Sequence, residues 1–215
     1  MKLLITGGSG TLGQVITKLA LSKNYQVNIL TRNKNLKSHN INLKYFNWNP
    51  KLKEIDLQCF DGIDSVINLA GFSIFNYWTH YNKSKIISSR LQSTSFILNY
   101  ILNNKIKIRS FVSVSGISAY KDSLTGISNE DNLINNPDSF INQVVINWEN
   151  QVHQYIEKIP NTSFSIMRIG LVLSKNGGLY KICSLLSKFY ILSALGSGLQ
   201  WQSWIHEKDV AKILI

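Results

Sequence analysis

Seven residues near the start of the chain, Gly7-Gly8-Ser9-Gly10-Thr11-Leu12-Gly13, have the types and spacing needed to hold a phosphate. The glycines satisfy two registers, Gly8-x-Gly10-x-x-Gly13 and Gly7-x-x-Gly10-x-x-Gly13. In either, one glycine permits a tight turn, a second lets backbone approach a pyrophosphate, and a third lets a helix pack closely on a strand. The helix N-terminus then stabilises the anion. Downstream, Thr31-Arg32-Asn33-Lys34 fills the place where an Asp or Glu would accept hydrogen bonds from ribose hydroxyls, and no acid is nearby; none precedes Glu54. Arg32 can form charge-assisted bonds with a 2′-phosphate, and Lys34 adds positive charge. Together these residues favour NADP over NAD. A third group, Ser113-Val114-Ser115-Gly116-Ile117-Ser118-Ala119-Tyr120-Lys121, follows an apolar run. Ser115 is suited to hydrogen-bond a substrate carbonyl or hydroxyl, and Tyr120 to donate or accept a proton at a strand end.

Positioning such groups requires strands that deliver them to one edge. Lys2 to Thr6 is a short apolar run consistent with a buried strand, and the glycine turn follows at once. Leu12, Val15, Ile16, Leu19 and Ala20 then recur at helical spacing up to Lys23-Asn24, and Gln26 to Thr31 reads as a second strand. The alternation continues with strands at Asp64–Ala70, Arg109–Ser115 and Ser163–Arg168. Helices are expected over about Tyr81–Asn103 and Asp138–Glu157. Strands alternating with helices predict an α/β fold: a Rossmann-type, doubly wound parallel sheet with helices on both faces. No repeat, low-complexity linker or domain break interrupts the 215 residues, which predicts a single domain.

Composition narrows the function classes. Cys59 and Cys183 are far apart and form no CxxC or Cys/His cluster, which excludes a disulfide framework and a structural zinc site. His206 and Asp209 could share a helix face, yet no third ligand accompanies them, so no metal is expected. No apolar run approaches a membrane span, and the opening segment reaches glycine too soon for a signal-peptide core. A soluble, cytoplasmic protein is the expectation. The net charge of +11 suggests nucleic acid at first sight. However, 19 of the 23 basic residues are Lys, and the 28 Ile and 23 Asn share A/T-rich codons with them. Nine of the basic residues precede Glu54, and the remainder of the chain is nearly neutral. A solvated Lys-rich surface accounts for this, so nucleic acid is not expected as a partner.

Several segments together resemble the extended short-chain dehydrogenase/reductases, specifically the atypical, epimerase-like branch called YfcH-like. They are TGGSGTLG at Thr6–Gly13, LTRN at Leu30–Asn33, INLAG at Ile67–Gly71, SRLQST at Ser89–Thr94, NWE at Asn147–Glu149, RIGLVLSKNGG at Arg168–Gly178 and GSGLQWQSWIHEKDV at Gly196–Val210. The resemblance implies an NADP-binding Rossmann protein with epimerase or oxidoreductase activity on a small carbonyl or sugar substrate, nucleotide-linked or free. It places Thr31 and Arg32 at the adenosine phosphate. Leu69 and Ala70 would line the cofactor, Arg90 and Lys85 would face it from the long helix, and Val172 would close the nicotinamide side. It also implies further strands and a substrate-side region beyond Ile215, so a C-terminally shortened member is expected, with homodimer contacts on the helices near 81–103 and 138–157.

That superfamily normally pairs a Tyr with a Lys four residues later, because a nearby ammonium favours the phenolate. Alignment on Glu149 puts those positions at Ile141 and Val145, neither of which can move a proton. The family's paired tyrosines after the strand-end serine are here Ala119 and Tyr120, leaving Ser115 and Tyr120 as the catalytic candidates. Trp201 and Trp204 flank a Gly-rich loop that could shape a pocket, and Glu149 is expected to be structural, partnering a backbone donor or a basic residue. The missing dyad also raises an alternative: a non-catalytic NADP-binding sensor or a cell-division-associated binding module.

Overall fold

The computed structural model describes residues 1–191, 193–194 and 196–215. Strand β1 (Lys2–Thr6) runs into the glycine turn and helix α1 (Thr11–Ser22), followed by β2 (Gln26–Thr31). Helix α1 buries Gly13, Ile16, Thr17 and Ala20, one stripe at helical spacing. Asn24 then adopts φ 59°, the left-handed turn that Asn tolerates, and sends the chain back into the sheet. Strands β3 (Leu43–Asn49) and β4 (Glu54–Ile55) form a small antiparallel hairpin at the edge. β5 (Ser65–Asn68) precedes the long helix α2 (His80–Asn103), whose start is capped by the Thr79 hydroxyl accepting from the Asn82 amide. β6 (Ser110–Gly116), α3 (Phe140–Ile156) and β7 (Ser163–Ile169) complete the main sheet. Ser139 and Asn142 form a reciprocal capping box that fixes where α3 begins. The chain then forms β8 (Leu171–Leu173), α4 (Gly178–Lys188), β9 (Trp204–His206) and α5 (Glu207–Leu214), with β8 and β9 paired as a separate two-stranded sheet.

The seven-stranded sheet has the order β4-β3-β2-β1-β5-β6-β7, parallel except for the β3–β4 pair. Side chains alternate across it. Leu4, Leu30, Val66 and Phe111 point into one core with Ile97, Leu98, Ile101, Val152 and Tyr155 of α2 and α3. Leu3, Ile5, Val27, Ile29 and Ile67 point into the other, with Ile16 and Ala20 of α1 and Val210, Ala211 and Leu214 of α5. Covering both faces requires the near-continuous apolar runs seen in β1 and β2. Burying Ile16 completely is worth roughly 1.5–3 kcal/mol. This is the doubly wound Rossmann architecture read from the sequence.

The structure differs from that reading at several boundaries. The strand expected over Asp64–Ala70 is confined to Ser65–Asn68, and the helix expected over Asp138–Glu157 runs from Phe140 to Ile156. The final helix begins at Glu207, capped by the His206 ring nitrogen accepting from the Lys208 amide. Strands β3, β4, β8 and β9 and helix α4 were not anticipated. Cys59 is buried and unpaired, as is Cys183 at partial burial. Among the described residues no helix is long and apolar enough to cross a membrane. No group of three or more His, Cys, Asp or Glu is placed to hold a metal among them.

Candidate nucleotide-binding site

The strand order reverses direction around β1, with β2 on one side and β5 on the other, so a crevice opens beyond their carboxyl ends. Thr6 and Asn68 join the two strand ends. The Thr6 hydroxyl donates to Asn68 Oδ1 at 2.7 Å and accepts from the amides of Leu69 and Ala70 at 3.1 Å each. Asn68 in turn donates to Thr94 at 2.9 Å and to Ser113 at 3.2 Å, and the Trp148 indole donates to Thr94 at 2.9 Å. This buried chain ties β1, β5 and β6 to α2 and α3, so the crevice is held at a fixed width.

The glycine turn lies directly against it. Gly7 has φ +69°, and a Cβ there would stand 2.8 Å from the Leu69 carbonyl oxygen. Leu69 and Ala70, both half-buried, therefore border the turn. A Cβ on Gly13 would lie 2.5 Å from the Gly7 oxygen and 2.6 Å from the Gly8 Cα, so α1 rests on the turn itself. Gly10 is the N-cap of α1 and supplies no side-chain cap, and the first turn carries no acid. The amides of Thr11, Leu12 and Gly13, which precede the first intrahelical bond from Gln14 to the Gly10 carbonyl, form the kind of helix start that favours an anion. Leu12 and Ser9 flank this N-terminus, half-buried and exposed respectively.

At the end of β2, Thr31 is buried and its hydroxyl accepts from the Asn33 amide at 3.1 Å, which sets the turn that carries Arg32 outward. Arg32 is exposed, and no carboxylate pairs with it among the described residues. A cavity of about 330 Å³ adjoins this turn, lined by Thr31, Asn33, Lys34, Tyr45, Asn47 and Asp56, among others. Asp56 corrects one sequence expectation, the absence of any nearby acid. The β3–β4 hairpin folds it back to line the same cavity as Lys34, and its Oδ1 caps the following 3-10 turn by accepting from the Gln58 amide.

The remaining cofactor candidates lie on α2 and β8. Arg90 is half-buried with its guanidinium 3.0 Å from where a Gly71 Cβ would be. Its Nη1 donates to the carbonyls of Phe72 and Ile86 at 3.0 Å each, and the guanidinium lies 5.2 Å from the Trp148 ring centre. Burial pulls its pKa down to about 10. Lys85 is more exposed; its ammonium lies 4.2 Å from the Tyr81 ring and 5.5 Å from the Phe72 ring. Hydrogen bonding and charge from Lys85 hold the Tyr81 phenol below its usual range. Val172 pairs with Ile205 between β8 and β9. The loop after it returns to the crevice: a Cβ on Gly177 would lie 2.4 Å from Thr11 Oγ1, and one on Gly178 would meet Phe75 at 4.0 Å. The glycine turn, the β5 loop and the β8–α4 loop therefore converge.

The carboxyl end of β6 carries Ser115, with Tyr120 on the segment that follows. The Ser115 hydroxyl donates to Glu149 Oε1 at 2.6 Å. Arg168 donates from Nε to both carboxylate oxygens, at 3.0 and 3.2 Å, and from Nη2 to Oε2 at 2.9 Å. Its Nη1 donates to the Tyr120 hydroxyl at 2.9 Å and to the Glu130 carbonyl at 2.8 Å. Glu149 bonding therefore holds the Arg168 guanidinium charged, above its usual range. Glu149 has the basic partner expected of it, but its link to both catalytic candidates could not be read from the sequence. Arg168 stands 19 positions away on another strand, and only its isolated charge in a strand pattern hinted at a role. Val145 packs against Gly116, with 3.4 Å between a Gly116 Cβ and its methyl. Trp201 and Trp204 are 79% and 64% exposed, and Trp201 donates to the Leu124 carbonyl at 3.0 Å rather than packing in a core. Asp209 pairs with Lys212 at 2.9 Å, so His206 and Asp209 serve α5 separately. A larger cavity, about 540 Å³, lies apart from these groups, between the β3–β4 turn (Pro50, Lys51) and the flank of α2 (Gln92, Phe96, Asn99).

The chain is 35% identical over 213 residues to an epimerase family protein of Staphylococcus saprophyticus, covering 99% of this chain and 69% of that protein. It is 33% identical over 215 residues to the epimerase family protein YfhF of Bacillus subtilis, again covering 69% of the relative. Among solved structures, the human epimerase family protein SDR39U1 with NADPH superposes with a TM-score of 0.81 at 27% identity, over all of this chain and 68% of that one. MoeE5 in complex with UDP-glucose and NAD shares the fold at 17% identity, with a TM-score of 0.80 over all of this chain and 70% of that one. The model of the NAD dependent epimerase/dehydratase family matches residues 3–215, and the chain belongs to that family.

Proposed function

We propose that this chain is an NADP-dependent oxidoreductase or epimerase-like protein acting on a small carbonyl or sugar substrate, nucleotide-linked or free. The observation that carries the reading is the glycine turn whose Cβ positions are filled by backbone at Gly7, Gly10 and Gly13 and by the Ile29 side chain at Gly8, leading into an uncapped helix N-terminus. These residues fit a dinucleotide. Amides from Thr11 onward would hold the pyrophosphate, Gly7, Gly8, Ser9 and Gly10 would let it approach, and Leu12 and Gly13 would seat the helix. Thr31 would set the β2 turn that lets Arg32 hold a 2′-phosphate. Leu69, Ala70 and Val172 would wall the crevice, and Lys85 and Arg90 would add positive charge along α2. A nicotinamide bound here would supply or take up hydride. Ser115 and Tyr120 would meet the substrate oxygen, with Tyr120 moving the proton.

SDR39U1, the relative solved with NADPH, is consistent with the phosphate reading, whereas MoeE5 was solved with NAD. The test is calorimetric titration of the chain and of Arg32→Ala with NADPH and NADH. One charge-assisted bond lost should weaken NADPH by about tenfold or more and leave NADH nearly unchanged. Equal loss of both would overturn the role of Arg32. Absence of binding by either cofactor to the folded chain would overturn the whole reading. A second reading, a non-catalytic NADP-binding sensor, is favoured by one observation: Val145, buried and apolar, stands at the position of the usual lysine and carries no ammonium. Tight NADPH binding without turnover across carbonyl and sugar-nucleotide substrates would select it.

A further inference from the structure

The corner beyond β6 contains an ion pair that neither cofactor binding nor the simple roles of Ser115 and Tyr120 require. Glu149 is 3% exposed, and the Arg168 side chain 14%. A buried ion pair is seldom more stabilising than apolar residues of the same volume, so stability alone does not explain it. Its geometry has a chemical consequence. A carboxylate only accepts hydrogen bonds, so Ser115, 2.6 Å from Glu149 Oε1, has committed its single proton there. What Ser115 can still offer a ligand is a lone pair. A guanidinium only donates, so the Tyr120 oxygen accepts from Arg168 Nη1 at 2.9 Å and its own proton must point elsewhere. What Tyr120 can offer is a donor. Four of the five Arg168 N–H donors are taken by Glu149, Tyr120 and the Glu130 carbonyl, so its guanidinium is held against all three at once.

We propose that Glu149 and Arg168 are positioning residues that fix the hydrogen-bond sense of the site, Ser115 as acceptor and Tyr120 as donor. The site then takes a ligand that donates one hydroxyl to Ser115 and presents an acceptor oxygen to Tyr120. This deepens the function proposed above and rests on its reading of Ser115 and Tyr120 as the groups that meet substrate. A lone ketone satisfies Tyr120 and leaves Ser115 without a donor, whereas an α-hydroxyketone satisfies both.

Two measurements on the full chain test this. In the isotopically labelled protein, NMR at low temperature should show a slowly exchanging Ser115 hydroxyl proton coupled in space to Glu149. Glu149→Gln should abolish its protection, and Arg168→Lys should keep it while freeing Tyr120. In NADPH-saturated protein, saturation-transfer titration should show hydroxyacetone binding about fivefold more tightly than acetone, the worth of one added hydrogen bond. Glu149→Gln should bring that ratio towards one with NADPH affinity unchanged, whereas Arg168→Lys, which keeps the Ser115 bond, should weaken both probes and preserve the ratio. Should Glu149→Gln not fold, Ser115→Ala carries the same comparison. A rapidly exchanging Ser115 hydroxyl in the folded chain would overturn the proposal. So would equal binding of the two probes, or binding of neither by NADPH-loaded protein. Failure to bind NADPH would instead remove the cofactor reading, and the hydroxyl measurement would still decide the hydrogen-bond sense.

Discussion

Replacing Gly13 by alanine sets helix propensity against close packing. Gly13 lies inside α1, and in an exposed helix alanine would be better by about 0.8–1.0 kcal/mol. Here the new Cβ would stand 2.5 Å from the Gly7 oxygen, 2.6 Å from the Gly8 Cα and 2.8 Å from the Gly8 carbonyl carbon. All three are backbone atoms, so relief to an ordinary contact requires the turn to move by roughly 0.9 Å rather than a side chain to rotate. The displaced Gly7 carbonyl is also the one that closes the turn, accepting from the Gly10 amide at 3.0 Å. Overpacking of this kind costs about 1–3 kcal/mol, enough to cancel the propensity gain and leave a net loss of up to about 2 kcal/mol. For a chain of this size that lowers the melting temperature by up to about 8 °C. NADPH affinity should fall by about tenfold or more, since the amides that meet the pyrophosphate move with the turn. Urea denaturation and calorimetric titration of Gly13→Ala measure both, with Gly10→Ala as the milder companion because its Cβ meets only the Gly7 oxygen, at 3.2 Å. A gain of about 1 kcal/mol with unchanged NADPH binding would refute the reasoning, since it is what a loosely packed helix start gives.

Asn68→Ala removes the centre of the chain joining Thr6, Thr94 and Ser113, and leaves the buried Thr6 hydroxyl without its acceptor. A loss of about 2–3 kcal/mol in urea unfolding is expected, and a loss under about 0.5 kcal/mol would show that the network contributes nothing. Burial, with Asp56 and Asp61 nearby, pushes the Cys59 thiol well above its ordinary value of 9.0. A thiol reagent at pH 8 should therefore titrate Cys183 alone until denaturant is added, and two fast thiols would contradict this. Above pH 9.0 the unfolded chain releases the Cys59 proton while the folded chain keeps it, so stability falls as pH rises. Relative to Cys59→Ala, the wild type should lose about 1 kcal/mol between pH 8 and 10, and identical pH profiles would remove Cys59 as the cause.

The legible parts of the sequence were those in which one local pattern decided the outcome. The apolar runs of β1 and β2, buried on both faces, and the stripe of α1 required only periodicity. The glycine turn required only the knowledge that Cβ atoms are excluded where backbone meets backbone. Strand β3 was missed because its sequence, LKYFNWN, places Lys44, Asn47 and Asn49 among its aromatics, and it lies near the sheet edge, where one side meets solvent. Strands β8 and β9 are three residues each and stabilise one another across 30 intervening positions, which no local window captures. In the site, Thr31 and Arg32 follow from the end of β2, whereas Leu69 and Ala70 entered only through the family resemblance. Asp56 in the same cavity lining as Lys34, and Glu149 between Ser115 and Arg168, arise from tertiary approach, and the residue types gave no direction for it.

The central claim, that the turn after β1 holds a nicotinamide dinucleotide with Arg32 on its 2′-phosphate, is tested most directly by a crystal structure of the chain grown with NADPH. The account predicts pyrophosphate oxygens hydrogen-bonded to backbone amides at the start of α1, the 2′-phosphate against Arg32, and the nicotinamide between Val172 and the Ser115–Tyr120 corner. NADPH bound elsewhere on the folded chain, with the glycine turn uncontacted, would contradict it.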